Sequence, residues 1–260
     1  MTCREIISLL QKQSPEEFAC DWDNVGLLVG DFEQEIKKVY IAVDATEETI
    51  LEAAAEKADL LLTHHPMIFK GLKKVNTRDF TGKRVIQLIR NNISYYAMHT
   101  NFDVKGMAEI AAEKMDLTGC QVLEETCQSK EGPEGIGRVG LLPEEVPLAA
   151  CISRVKKVFA VDTVKVFGDL NQKVQKAAVS PGSGKSVIAH ALKAGAQVLV
   201  TGDIDHHEGI DAASQGLAVI DAGHYGVEKL FVPYMVQYLQ DAAQEVQIVG
   251  QPVKQPFLFV

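Results

Sequence analysis

The chain is poor in the features that mark several large protein classes. Its five cysteines, at positions 3, 20, 120, 127 and 151, are odd in number and include no CxxC pair. That excludes a disulfide framework and a thiolate zinc site, and leaves histidine and carboxylate as the chemistry-bearing side chains. No run of about 18 apolar residues occurs, so no transmembrane helix is expected. The opening residues, 1–24, carry Arg4, Glu5, Lys12, Glu16 and Glu17 and form no apolar stretch of signal-peptide length, so a cytoplasmic protein is expected. Basic residues are also in deficit: 35 acidic against 26 basic side chains leave a net charge of −9. A broad phosphate-gripping surface for nucleic acid is therefore unexpected, although a small basic pocket is compatible with this balance.

What remains is an ordinary globular composition, 47% hydrophobic and 23% charged over 260 residues, long enough for one large domain or two modest ones. Ser14-Pro15-Glu16-Glu17 reads as a helix start with serine as N-cap. An apolar strand over 39–43 leads into Asp44, which forms a capping pair with Glu47 for a helix running to about Lys57. Strand 60–63 follows, making a βαβ unit of parallel strands. The same order returns later as strand 177–179, a helix from about Ser183 to Lys193, and strand 198–200.

Residues 58–63 (ADLLLT) align without a gap on 196–201 (AQVLVT), and each is followed by a polar, histidine-rich segment. A further helix and strand follow in both places, the strands at 93–97 and 217–220. The expected fold is therefore α/β, with two related α/β halves built from βαβ units and the functional site at the C-terminal ends of the strands between them. The turn-rich stretch Ser129-Lys130-Glu131-Gly132-Pro133-Glu134-Gly135 suggests halves at 1–128 and 129–260, or one interlocked unit. A strand near 138–142, a helix over 148–160 and a strand over 163–167 complete the second half. The closing Gln255-Pro256-Phe257-Leu258-Phe259-Val260 is apolar enough to dock on its own body or on a neighbouring subunit.

Six of the seven histidines, 64, 65, 99, 206, 207 and 224, lie just past an apolar strand, the edge at which open α/β sheets bind ligands. His190 is mid-helix and is expected to pack or face solvent. His64 and His65 follow Thr63, and Pro66 holds His65 extended, so the two rings diverge toward two ions rather than chelating one. Asp103 and Glu228 each stand four residues after a histidine, His99 and His224, and would share a helical face with it. His64, His65, Asp103, His224 and Glu228 are donors enough for two divalent ions of zinc, manganese, iron or nickel type, with one carboxylate bridging. His99 is a conceivable sixth ligand but is expected to sit behind the ligands, orienting Asp103 or substrate.

Three patterns mislead. The GxGxxG of 135–140 follows a polar turn and runs into a strand, not a helix, so it does not indicate a dinucleotide site. Residues 180–186 end like a phosphate-binding loop, but Val179 stands where its first glycine belongs; the segment reads as a helix start whose N–H groups, with Lys185, could at most hold an anion. Asp205-His206-His207 matches a three-letter phosphoesterase signature without that family's other acidic motifs. His206 and His207 are expected to line the cleft, with His206 as a proton shuttle.

Taken together, residues 22–27 (WDNVGL), 63–66 (THHP), 99–103 (HTNFD), 135–140 (GIGRVG), 201–203 (TGD) and 221–228 (DAGHYGVE) resemble the Nif-three-like dinuclear-metal proteins, commonly described as GTP cyclohydrolase type 2 homologues. The resemblance spans essentially the whole chain. It implies that His64, His65, Asp103, His224 and Glu228 are the metal ligands, that Glu228 bridges, and that the chain assembles as a toroidal homohexamer. It further implies a metal-dependent hydrolase acting on a small molecule, GTP or another nucleotide or phosphate compound; the positions of His99 and His206 make them the expected catalytic groups. The alternative is a non-catalytic metal-binding or regulatory protein. Some relatives carry an inserted middle domain, for which this chain has no room.

Overall fold

The computed structural model describes residues 1–130 and 132–258. Glu131, from the expected turn, and Phe259 and Val260, from the apolar closing segment, lie outside the described residues. The strands are β1 (Gly26–Val29), β2 (Lys38–Ala42), β3 (Leu60–Thr63), β4 (Ser94–Ala97), β5 (Thr118–Ser129), β6 (Gly132–Pro147), β7 (Lys165–Phe167), β8 (Lys173–Ser183), β9 (Val198–Gly202), β10 (Ala218–Asp221) and β11 (Gln247–Gly250). The chain is α/β and divides into two compact units: residues 1–102 with 231–254, and residues 103–230 with 255–260. Among the described residues no helix is long and apolar enough to cross a membrane.

The first unit holds a sheet of order β1-β4-β3-β2-β11, parallel except for β1. Leu60-Leu61-Leu62-Thr63 is buried throughout, as a central parallel strand covered on both faces must be. Tyr40, Ile50, Ala53, Leu61, Leu88 and Tyr95 join strands and helices in one core. The second unit holds β5-β6-β8-β9-β10-β7, in which β8, β9 and β10 are parallel and the rest antiparallel.

Four strands recur in the same arrangement in both sheets: three parallel strands, β2-β3-β4 and β8-β9-β10, with an antiparallel strand, β1 or β7, on the third. The equivalence reaches side chains. The Asp59 carboxylate accepts the backbone N–H groups of Lys37 and Lys38 at 2.8 and 2.9 Å. At the matching place the Gln197 amide oxygen accepts those of Gln175 and Lys176, both at 2.9 Å.

Several local expectations are corrected. The contact units do not part at 128: Ser129 and residues 132–135 pair within the antiparallel hairpin β5–β6, with Ser129 opposite Gly132, so no contact boundary falls there. Ser14 does not cap a following helix. It ends the helix Cys3–Gln13, and Pro15 leads into the single 3-10 turn Glu16–Phe18. Thr46, not Asp44, caps the helix Glu47–Ala55, with its hydroxyl accepting from Thr49 N–H at 3.0 Å. β8 runs on to Ser183, and the helix expected from there occupies only Ile188–Lys193. In the closing segment, Gln255 and Phe257 line a cavity of about 560 Å³ in the second unit, whereas Leu258 is 84% exposed.

Candidate metal centre

β3 delivers His64 and His65 directly, and their backbone is gripped from below. Thr63 Oγ1 donates to the His65 carbonyl at 2.8 Å, and the buried Tyr95 hydroxyl donates to the same oxygen at 3.0 Å while accepting Met67 N–H at 2.8 Å. Burial pushes the Tyr95 phenol up to about 12, so it stays a proton donor. β4 ends at Ala97 and delivers His99 two residues on.

Each of the three imidazoles is held at Nδ1 by a different partner. His64 is fully buried, and its Nδ1 donates to the Met98 carbonyl at 2.8 Å. His65 Nδ1 faces the Asp44 carboxylate at 2.8 Å, and His99 Nδ1 faces both oxygens of Asp23 at 2.9 and 3.0 Å. A carbonyl or carboxylate can only accept, so the ring proton sits on Nδ1 and the lone pair on Nε2. Ring centroids are 4.9 to 5.5 Å apart, and one nitrogen of each ring lies within 4.8 Å of the others. Orienting partners of this kind characterise metal-binding histidines, and borderline divalent ions fit the donor set.

Asp23 is the best-held of these partners. Its side chain is fully buried; besides His99 it accepts Thr100 N–H at 3.0 Å, Thr100 Oγ1–H at 2.5 Å and Asn24 N–H at 2.8 Å. Burial pushes its carboxyl up, but the hydrogen bonds from His99 and Thr100 outweigh that and bring it down to about 2. The rest of the 99–103 segment is scaffold: Asn101 Nδ2 donates to the Ser14 carbonyl at 2.9 Å, and Phe102 packs edge-on against Phe231 with centroids 5.1 Å apart.

In the second unit, the helix His224–Glu228 places His224 Nε2 3.0 Å from Glu228 Oε2, and the Asp203 carboxylate meets His224 Nδ1 at 2.7 Å. A neutral imidazole has one N–H and can serve only one of two carboxylates. Satisfying both takes the imidazolium, or a cation held between Nε2 and Glu228. Two glycines make room for the pair. A Cβ on Gly182, whose φ is +80°, would lie 2.6 Å from Glu228 Oε1, and one on Gly202 would lie 2.5 Å from the His224 backbone nitrogen. Asp221, at the end of β10, ties the approach together by accepting Ile204 N–H and Gly223 N–H, both at 3.0 Å, and pairing with Lys165 at 2.9 Å.

The sequence profile of Duf34/NIF3 (NGG1p interacting factor 3) matches residues 1–256. The chain belongs to this family. A Clostridium perfringens protein named GTP cyclohydrolase 1 type 2 homolog is 33% identical over 267 aligned residues, covering 100% of both chains. A Streptomyces coelicolor protein of the same name is 36% identical over 229 residues, 86% of this chain and 80% of its own. The crystal structure of the Bacillus cereus protein related to NIF3 superposes with a TM-score of 0.93 at 27% identity, covering 100% of this chain and 99% of the other.

In this Duf34/NIF3 chain the expected donors fall in both units, His64 and His65 in the first and Asp103, His224 and Glu228 in the second. His224 and Glu228 share a helical face as their spacing predicted. His99 and Asp103 do not repeat that geometry: His99 precedes the helical turn Thr100–Phe102, and Asp103 opens an irregular segment in which Lys105 and Gly106 leave helical dihedrals. The buried Arg138 of the GIGRVG motif steadies that segment. It donates to the Val104 carbonyl at 3.2 Å, to the Gly135 and Gly137 carbonyls at 2.8 and 2.9 Å, and to Glu109 at 3.0 Å. The motif is thus a strand with a structural arginine and not a nucleotide loop.

His206 and His207 are exposed at the start of the helix His206–Ser214, their rings 5.1 Å apart, and Asp205 is that helix's N-cap in a capping box with Glu208. Lys185 pairs with Glu208, so its charge is already answered. His190 is half-buried mid-helix. Sequence reasoning missed Asp23, Asp44 and Asp203 as the carboxylates behind His99, His65 and His224. The only signal was their presence in or beside histidine-containing motifs.

Proposed function

We propose that this Duf34/NIF3 protein is a metal-dependent hydrolase in which His64, His65, Asp103, His224 and Glu228 hold two divalent ions, Glu228 bridging. The observation that carries the reading is the adjacent pair His64 and His65, each fixed at Nδ1 by a separate acceptor so that Nε2 is left to serve as a ligand, with His99 held in the same way beside them. When bound, two divalent ions would supply Lewis acidity that polarises a carbonyl or phosphoryl oxygen and would make water a stronger acid. His99 is assigned the proton: Asp23 keeps its Nδ1 protonated and stabilises the imidazolium, so Nε2 can accept a proton and return it to a leaving group. His206 is assigned an auxiliary proton-shuttling role from the helix start.

The relatives' names, GTP cyclohydrolase 1 type 2 homolog, support a nucleotide or another phosphate compound as substrate. The same reading carries a cytoplasmic ring-shaped homo-oligomer. Elemental analysis and a hydrolase panel containing GTP and phosphate esters, run on one preparation, form the test. About two divalent metals per chain and turnover of a panel member are expected. A metal-replete protein that turns over nothing moves the assignment to a metal-binding or regulatory role, and one metal or fewer per chain removes the dinuclear centre.

A further inference from the structure

Between β3 and the helix Phe80–Arg90 the chain makes a long connection without regular structure, a length that is uncommon unless the loop has a task. Within it Lys70, Lys73, Lys74 and Arg78 are all exposed, and among the described residues none of the four pairs with a carboxylate. The only acid from 66 to 81 is Asp79, whose carboxylate is engaged by Gly82 N–H at 2.7 Å as the cap of the following helix. In a chain of net charge −9 this is a local reversal of sign.

The loop is anchored at both ends. Met67 N–H is held by Tyr95 and the Ile68 carbonyl by Asn24 Nδ2 at 2.5 Å, while Gly82 packs directly on the Asn76 backbone. Phe69 stands edge-on to the His99 ring with centroids 5.8 Å apart, which sets the start of the basic arch beside the histidine group. The loop lines a cavity of about 750 Å³, within the range of small-molecule sites.

We infer that the loop Met67–Asp79 is an anion-binding element whose Lys70, Lys73, Lys74 and Arg78 hold the phosphate groups of a small phosphorylated ligand, with Phe69 marking the border to His99. As the phosphate subsite of the reaction it rests on the hydrolase reading; as an anion site it does not. Four cations around one cavity match a di- or triphosphate, whereas a nucleic acid needs a longer basic track.

The test is calorimetric titration of inorganic triphosphate into the full chain, purified from metal-supplemented medium, and into its Lys70→Ala/Lys73→Ala/Lys74→Ala variant, with metal content measured on both. Affinity should fall at least about tenfold in the variant, the worth of one charge-assisted hydrogen bond, with metal content unchanged. The corresponding triple arginine variant should stay within about threefold of the parent, since guanidinium also binds phosphate. Equal affinity in parent and alanine variant, or no binding by the parent, overturns the inference. A single-stranded oligonucleotide that binds through the same lysines more tightly than triphosphate overturns it in favour of a nucleic-acid surface. Absent turnover with lysine-dependent triphosphate binding intact removes the hydrolase reading and leaves the anion site standing.

Discussion

The histidine groups of the two units solve the same problem with different means. In the first unit three rings come from two strand ends, and the partners behind them, Met98, Asp44 and Asp23, range from a backbone carbonyl to a buried carboxylate. In the second, one ring and one carboxylate come from a single helical turn, and the partner Asp203 is 56% exposed. The strand frame recurs strand for strand, down to the backbone N–H pairs accepted by Asp59 and Gln197, yet the loops that follow place their candidate donors at different positions. Frame residues answer to backbone hydrogen bonds that any parallel sheet must satisfy, whereas loop residues are free to diverge.

The comparison breaks most decisively at the rings themselves. His65→Ala and His224→Ala should each weaken metal retention by more than the roughly 10–100-fold that an orienting partner is worth; dialysis against a graded chelator followed by elemental analysis measures it. Retention equal to that of the parent in either variant would remove that ring from the ligand set.

The carboxylates behind the rings sharpen the comparison. Asp23→Asn should keep the metals yet reduce turnover by about 10²-fold or more, because the amide no longer stabilises an imidazolium at His99. Asp203→Asn, at an exposed carboxylate, should change metal affinity by about tenfold and leave His99 chemistry intact. Steady-state kinetics and metal analysis on the same samples separate the two, and identical behaviour would erase the distinction drawn between a buried and an exposed partner.

Acid unfolding isolates the same asymmetry. Asp23 has a folded value of about 2, below the ordinary 3.8, so its contribution is fully present above about pH 4 and is lost as pH falls toward 2. A depression of nearly two units corresponds to about 2 kcal/mol. Denaturant titrations from pH 5 down to about 2.5 should therefore show a shallower loss of stability in Asp23→Asn than in the parent, and parallel curves would refute the assignment. The smallest effect is expected at Lys185→Ala. Its ion pair with Glu208 is at the surface, so melting temperature and triphosphate affinity should both stay unchanged. A drop in triphosphate affinity would instead revive the glycine-rich turn as an anion site.

Periodicity and local chemistry in the sequence determined a great deal. The expected strand Leu60–Thr63 is β3 to the residue, the His224–Glu228 spacing is a helical face, and the polar turn before GIGRVG excluded a nucleotide loop. Those are short-range properties, set by the two- and 3.6-residue repeats of strands and helices. Tertiary structure alone decided which carboxylate serves which histidine. Asp23 and His99 are 76 residues apart, and Asp44 had a plausible local use as a helix cap that the fold gives to Thr46 instead. It also decided where the units part, because the stretch 129–135 has the composition of a linker while Ser129 and residues 132–135 belong to two strands that pair over many residues. A side chain's local options are visible in its neighbours along the chain; which option wins depends on the burial and partners that distant segments bring to it.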